Sequence, residues 1–373
     1  MDIEVRDVLS THFYAVMDNR TQFVRRKLTV NKIKILCYGV GVVGGLIAKS
    51  LLEKEGVQIV GAVDVAKDKV GKDLGDVLGL SKKIGVTVSG NLDSLPRGVE
   101  ADVAVHATSS YLKDTCSQIA SLVEHGSNVV STCEELSYPF VSEPVLAMQI
   151  DMLAKKHDVT VLGTGINPGF LMDALVITLT APCQKVDSIH ARRVMDAATR
   201  RLPFQKKIGA GLSRKEFEQK IRHRQITGHV GLEQSIEMIA GALAWKLDTV
   251  VIEPVEPVVA AKSVQSKDIK VRVGNVAGLR QKAKGIMDGK EAIVLDFQAY
   301  IGAKKEYDWI TIKGVPEINQ RISPCVHGDL ATIAMIVNAI PKVINAPAGL
   351  LTMKDLPVPS AALADMRKYA RTS

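Results

Sequence analysis

KIKILCYGVGVVGGLIAKSLLEKEGVQIVGAVD, from Lys32 to Asp64, is the stretch from which the architecture can be read. KIKILCYG is a continuous apolar run, the pattern of a strand covered on both faces. VVGGLIAKSLLEKEG has helical spacing and closes at Gly56, and VQIVGAVD is a second buried strand. Gly39, Gly41 and Gly44 stand between the first strand and the helix, with Val42 and Val43 opening that helix. Glycines there allow a tight turn and bring the backbone close to a pyrophosphate, while the helix N-terminus supplies free N–H groups. Asp64 lies twenty residues past Gly44, where a ribose-binding carboxylate belongs. The glycine pattern alone is weak, and a purely structural turn is its plainer alternative. The flanking strand, the following helix and the acid together point to a dinucleotide. A carboxylate at this place accepts from a ribose 2′-OH and repels a 2′-phosphate, which favours NAD. Lys67, Lys69 and Lys72 follow closely and offer charge to a phosphate, so the cofactor expected is NAD or NADP.

Outward from this unit the same alternation continues. VTVSG, ADVAVHATS, SNVVSTCEE and VTVLGTG read as further strands. YLKDTCSQIASLVEHG and SEPVLAMQIDMLAKKHD read as helices, the second with Ser142 as its expected cap. Apolar strands alternating with helices predict a doubly wound parallel sheet. After about Cys183 the texture changes to KVDSIHARRVMDA, two helical stretches and then alternating segments up to DWITIKG. These predict a second α+β domain built on a mixed sheet. His327 to Ile340 reads as one apolar helix packing back on the first domain. The expected fold class is thus α/β, an N-terminal Rossmann domain with a second α+β domain. The expected divisions are an N-terminal extension over 1–31, a dinucleotide-binding domain over 32–182, a substrate and dimerisation domain over 183–325, and a C-terminal helix and tail over 326–373.

The bulk numbers agree with two cores: 373 residues, 46% apolar and only 4% aromatic. The net charge of +8 is spread over clusters at Arg25–Lys27, Arg192–Lys207 and Arg214–Arg224. Such clusters attract anionic ligands such as dinucleotide phosphates. They lack the interleaved aromatics of a nucleic-acid platform, so no nucleic-acid partner is expected. Five cysteines, with no C-x-x-C pair, fit reduced thiols in a cytoplasmic protein, and no metal site is expected. Neither a signal peptide nor a membrane span is legible.

Four further segments carry candidate chemistry. Ala107, Thr108 and Ser109 end the fourth strand, beside the place of a nicotinamide ribose, although Ser109 or Ser110 also reads as a helix cap. Cys133, Glu134 and Glu135 end the fifth strand at the ligand crevice. Neighbouring strand residues point opposite ways, so at most one of the two acids faces a substrate. Asn167, Pro168 and Phe170 lie in the glycine-rich GTGINPGFLMD, where Asn167 suits a carboxamide or a substrate and Pro168 also reads as a helix start. His229 and His327 each precede a helix, and a structural histidine is the commoner reading of both.

GVGVVGG, AVDVAKDKVGKDLG, STCEELSYP, GTGINPGFLMD, GHVGLEQSIEMIA and HGDLATIAMIVNAIP with PAGLLTMKDLP resemble the 2,4-diaminopentanoate dehydrogenase and native amine dehydrogenase family. The likeness runs from about Lys32 to Pro357. It implies a fold similar to dihydrodipicolinate reductase and a homodimer. It further implies NAD(P)-dependent oxidative deamination of a small-molecule amine, with a glutamate at the fifth-strand end handling protons and ammonia. That role maps onto Glu134 or Glu135, with Glu134 slightly preferred. An amino-acid substrate needs a cation for its carboxylate, and Arg192, Arg193, Arg200, Arg201 and Arg224 are the candidates. Of these, Arg192 is taken with His229 as substrate-binding. A simple-amine enzyme and a non-catalytic NAD(H) sensor are the competing expectations. Dihydrodipicolinate reductase itself is disfavoured, because its paired histidines and P-S-G-T loop are not found.

Overall fold

The structure, a computed structural model, describes residues 32–370, so the expected N-terminal extension and the Arg25–Lys27 cluster lie outside the described residues. The first half runs β1 (Ile33–Tyr38), α1 (Val42–Leu52), β2 (Val57–Val63), α2 (Leu74–Val77), β3 (Val88–Ser89) and β4 (Val103–His106). It continues through α3 (Leu112–Glu124), β5 (Asn128–Ser131), α4 (Pro144–Lys156) and β6 (Thr160–Gly163). After α5 (Ala174–Thr180) come β7 (Lys185–Asp196), α6 (Leu202–Lys207), α7 (Arg214–Arg222) and α8 (Leu232–Ala242). Then follow β8 (Thr249–Ile252), β9 (Glu256–Val259), β10 (Val264–Gln265), β11 (Lys270–Val271), β12 (Val276–Met287), β13 (Lys290–Tyr300), β14 (Tyr307–Val315) and β15 (Ile318–Ile322). The chain returns through α9 (Gly328–Ile344) and β16 (Gly349–Leu351).

The first sheet has the order β16-β6-β5-β4-β1-β2-β3, and every pairing is parallel. Its strands are apolar on both sides because helices cover both faces. Ile47 and Leu51 of α1 pack with Ile336 and Ile340 of α9 over one face. Leu112 and Ile119 of α3 pack with Ile150 of α4 over the other. Strand order reverses between β1 and β4, and that switch point opens the ligand crevice at their C-terminal ends. The seventh strand, β16, was not expected. It pairs with β6 through Gly349, Leu350 and Leu351, so the tail extends the first sheet as well as covering it.

The second sheet has the order β15-β14-β7-β13-β12-β8, with β9 also on β12. Only β13 and β7 pair in parallel, so the sheet is mixed, as its alternating sequence predicted. Helix α8 packs Ile236 and Ile239 against it. Two local expectations need correction. Ser142 does not cap α4: Glu143 holds the cap position, and the Ser142 hydroxyl instead accepts from Gln234 Nε2 at 3.1 Å. Pro168 does not start a helix, since α5 begins six residues later with Asp173 as its cap.

Candidate active site

The glycine loop meets the end of β4 at the switch point. A Cβ on Gly39, whose φ is +86°, would stand 2.4 Å from the Ala107 carbonyl oxygen. A Cβ on Gly44 would stand 1.8 Å from the Gly39 carbonyl oxygen. Gly41 differs: nothing lies within 4 Å of its would-be Cβ, and no side chain caps α1. The loop is therefore closed beneath and open above, at a helix N-terminus whose N–H groups await an acceptor. That is the shape a pyrophosphate fills. Asp64 flanks it, accepting from Val40 N at 3.0 Å, Ala66 N at 2.9 Å and Lys69 Nζ at 2.8 Å. Partial burial opposes its ionisation, but the Lys69 ammonium and the two N–H groups outweigh it and hold the carboxyl below its ordinary value.

A cleft of about 610 Å³ runs from this loop to the face of the second sheet. Gly41, Val42 and Val43 line its near end, followed by Ala107, Thr108 and Ser109. Thr108 is braced from below: its hydroxyl donates to Gln118 Oε1 at 2.7 Å, and His106 bridges Ser131 Oγ and Gln118 Oε1, each at 2.8 Å. Burial pushes His106 down to about 4, so the brace is uncharged near neutrality. Cys133 turns away from the cleft. It is buried, with its thiol 3.3 Å from the Ser110 carbonyl oxygen, and Thr132 lines the wall in its place.

The structure separates the two adjacent acids. Both lie past the end of β5, where a short 3₁₀ turn begins at Glu135. Glu134 lines the cleft. Its removal from water raises the carboxyl pKa, opposed by a hydrogen bond with Ser110 and by the charge of Lys207. Glu135 points back into the fold, where its Oε2 accepts from Leu112 N at 2.7 Å. It thereby caps α3, whose own cap residue, Tyr111, supplies no side-chain bond. Glu135 does not reach the cleft, because that backbone donor holds it.

Asn167 Nδ2 donates to His229 Nε2 at 2.7 Å, and Asn167 Oδ1 is buried in the same wall without a partner. The His229 ring stacks on Phe297 with centroids 4.3 Å apart. Burial, with help from the Lys207 and Arg193 charges, pushes His229 down to about 3, so it is neutral. Pro168 and Phe170, expected beside Asn167, are not in the cleft. Pro168 packs beneath Gly231, and Phe170 faces a separate small cavity with Met335 and Met353. His327 caps α9, its ring accepting from Leu330 N at 3.4 Å.

Arg192 is also displaced. On β7 it points away from the cleft, and its Nε pairs with Asp296 at 2.8 Å. Its neighbour Arg193 takes the cleft face, 1% exposed, with Nη1 on Asp308 at 2.9 Å and Nη2 on the Val326 carbonyl. Arg200 places its fork on Asp329, at 2.9 and 3.2 Å, and stacks over Phe204. Arg201 and Lys207 complete that wall, while Arg224 is exposed beyond α7. Phe297, Lys207 and Asp329 were not singled out from sequence. Asp329 stands two residues after His327, the residue that drew attention in that motif. Among the described residues no group of three or more His, Cys, Asp or Glu could hold a metal ion.

Comparison with known proteins places this arrangement. A family model described as the 2,4-diaminopentanoate dehydrogenase C-terminal domain matches residues 170–372. The 2,4-diaminopentanoate dehydrogenase of Acetoanaerobium sticklandii is 40% identical over 344 residues, spanning 91% of this chain and 97% of the relative. The chain belongs to the 2,4-diaminopentanoate dehydrogenase family. A second model, described as the dihydrodipicolinate reductase N-terminus, matches residues 33–133, the part holding the glycine loop and the β4 end. An amine dehydrogenase of Streptomyces virginiae is 23% identical over 359 residues, covering 87% of this chain and 96% of that one. The solved structure of an amine dehydrogenase from Mycobacterium smegmatis superposes with a TM-score of 0.77 at 27% identity, covering 89% of this chain and 98% of that chain.

Proposed function

We propose that this chain catalyses NAD(P)-dependent oxidative deamination of 2,4-diaminopentanoate to 2-amino-4-oxopentanoate and ammonia, reversibly. One observation carries the reading: Glu134, a carboxyl raised by burial and held by no arginine among the described residues, lies in the same cleft as the open glycine loop. The 40% identical relative names the substrate.

The open backbone at Gly41–Val43 and the Asp64 carboxylate would hold the dinucleotide pyrophosphate and ribose. Thr108 and Asn167 Oδ1 would hold its nicotinamide end, and a dinucleotide bound there supplies the hydride acceptor. The chain's own groups manage protons. A substrate amine enters protonated and must shed a proton before its carbon is oxidised. Glu134, made more basic than an ordinary carboxylate by burial, accepts that proton and releases it to solvent, then takes one from the attacking water and passes it to the departing nitrogen. Neutral His229, fixed by Phe297 and Asn167, presents an uncharged wall that does not repel the cationic amine.

We further assign residues 32–182 to the dinucleotide domain and 183–325 to the substrate and dimerisation domain, with 326–370 returning to the first. We also propose that the enzyme is cytoplasmic and a homodimer, the second of which light scattering tests. Among the described residues no helix is long and apolar enough to cross a membrane. The deciding assay is formation of NADH or NADPH, with ammonia in equal amount, from 2,4-diaminopentanoate beside a panel of short alkyl amines. Turnover confined to the alkyl amines would move the chain to amine dehydrogenase chemistry. Tight NADH binding without turnover of any of them would leave a sensor.

A further inference from the structure

The deaminase reading leaves open how the far end of the substrate is held, and the cleft's cations answer that question. Five arginines were candidates for a substrate carboxylate, and the structure sorts them by what each already holds. Arg192 points away, and Arg224 is on the outer surface. Arg193 is enclosed and spends its donors on Asp308 and a backbone carbonyl. Arg200 spends its fork on Asp329. Arg201 has the most capacity left, its side chain making no hydrogen bond among the described residues. Its Nε is buried in the wall without a hydrogen-bond partner, although it lies 3.3 Å from Asp329 Oδ1. Asp329 already accepts the Arg200 fork, so the Arg201 guanidinium is steered by Asp329 without being saturated by it.

Six residues further on, at the end of α6, Lys207 lines the same cleft with no hydrogen bond or ion pair among the described residues. Its charge acts on both Glu134 and His229, which places it near the reacting end. Along the lining, four cationic side chains face two acids, and one of those acids is already shared by two arginines. Asp308, behind the wall, answers Arg193, so the four cations meet three acids and one anion is still wanted. A simple amine brings none, whereas an amino acid brings a carboxylate. The planar guanidinium fork matches that group, and an ammonium adds a point charge beside it.

We propose that Arg201 and Lys207 together bind the carboxylate of an amino-acid substrate and so select diamino acids over amines lacking that group. The proposal rests on the deaminase reading, and its tests separate the two. Arg201→Gln, Arg201→Lys and Lys207→Met are assayed on 2,4-diaminopentanoate and on pentane-2,4-diamine. The expected result for Arg201→Gln and Lys207→Met is a fall of roughly 10- to 100-fold in the ratio of the two kcat/KM values, carried mainly by KM for the diamino acid. Arg201→Lys, which keeps the charge without the fork, should recover part of that loss. An unchanged ratio, with both substrates falling together, would overturn the proposal and make these residues supports of the wall. The second measurement needs no turnover. 2-Aminopentanoate is titrated calorimetrically onto the enzyme with NADH bound. Weaker binding by each variant than by the parent is expected. Equal affinity, or no binding by the parent, would overturn the clamp. A parent that turns over no amine sinks the deaminase reading by itself, and the calorimetry still decides the clamp.

Discussion

Gly41→Ala separates the ligand from the fold more cleanly than any other change in the loop. The would-be Cβ meets no protein atom within 4 Å, and Gly41 has a φ of −70°, which alanine accepts without strain. At a helix cap, glycine exceeds alanine by well under about 1 kcal/mol, so melting should move by no more than about 2–4 °C. The methyl group nevertheless stands where the pyrophosphate must approach. Each charge-assisted bond lost there is worth about 1.5–3 kcal/mol. The dissociation constant for NADH should therefore rise at least about 10-fold. Gly44→Ala is the control. Its Cβ would stand 1.8 Å from the Gly39 carbonyl oxygen, so the loop must spread. Overpacking of this kind costs about 1–3 kcal/mol, and both melting and binding should suffer. Thermal unfolding and NADH fluorescence titration on the same preparations measure both effects. A Gly41→Ala protein that binds NADH like the parent would refute the assignment of this loop as the pyrophosphate cradle.

Other consequences concern charge. Burial raises the Glu134 carboxyl pKa, so the folded state binds its proton more tightly than the unfolded chain, and stability from this group declines as pH rises through its folded value. Glu134→Gln should accordingly melt above the parent at neutral pH, with the gap closing as pH falls below that titration. Arg193→Met leaves Asp308 buried without its guanidinium, and chemical denaturation should show a loss of about 3–5 kcal/mol. Asp64→Ser removes the carboxylate while leaving Lys69 in place, and the ratio of NADPH to NADH affinity should increase in fluorescence titrations.

The dinucleotide half was legible because its signals are local. Strand, loop, helix and the acid of the next strand fall within Lys32–Asp64, and each local rule agrees with the others. The seventh strand was not legible, because three residues at Gly349–Leu351 carry no period of their own and become a strand only by meeting β6. Strand alternation was the wrong ground for separating Glu134 from Glu135, because β5 ends at Ser131 and the two acids lie in the turn that follows, where only Glu134 lines the cleft. The sequence could not say which acid would face it, since the choice depends on Leu112 N, a donor more than twenty residues away. Alternation does separate Arg192 from Arg193, but Asp296 and Asp308 supply acids on both faces of β7, so the sequence offered no sign of which face was the cleft. Pro168 and Phe170 read as site residues because they follow Asn167, yet the turn directs only Asn167 inward.

The most direct test of the account compares Glu134→Gln and Glu135→Gln with the parent on 2,4-diaminopentanoate, with NADH affinity measured in each. The account predicts that Glu134→Gln binds NADH normally and loses about 100-fold or more in kcat. It predicts that Glu135→Gln turns over near the parental rate while melting lower, having weakened the cap on α3. Loss of turnover in Glu135→Gln with activity intact in Glu134→Gln would contradict the assignment of Glu134 as the proton-handling group of this cleft.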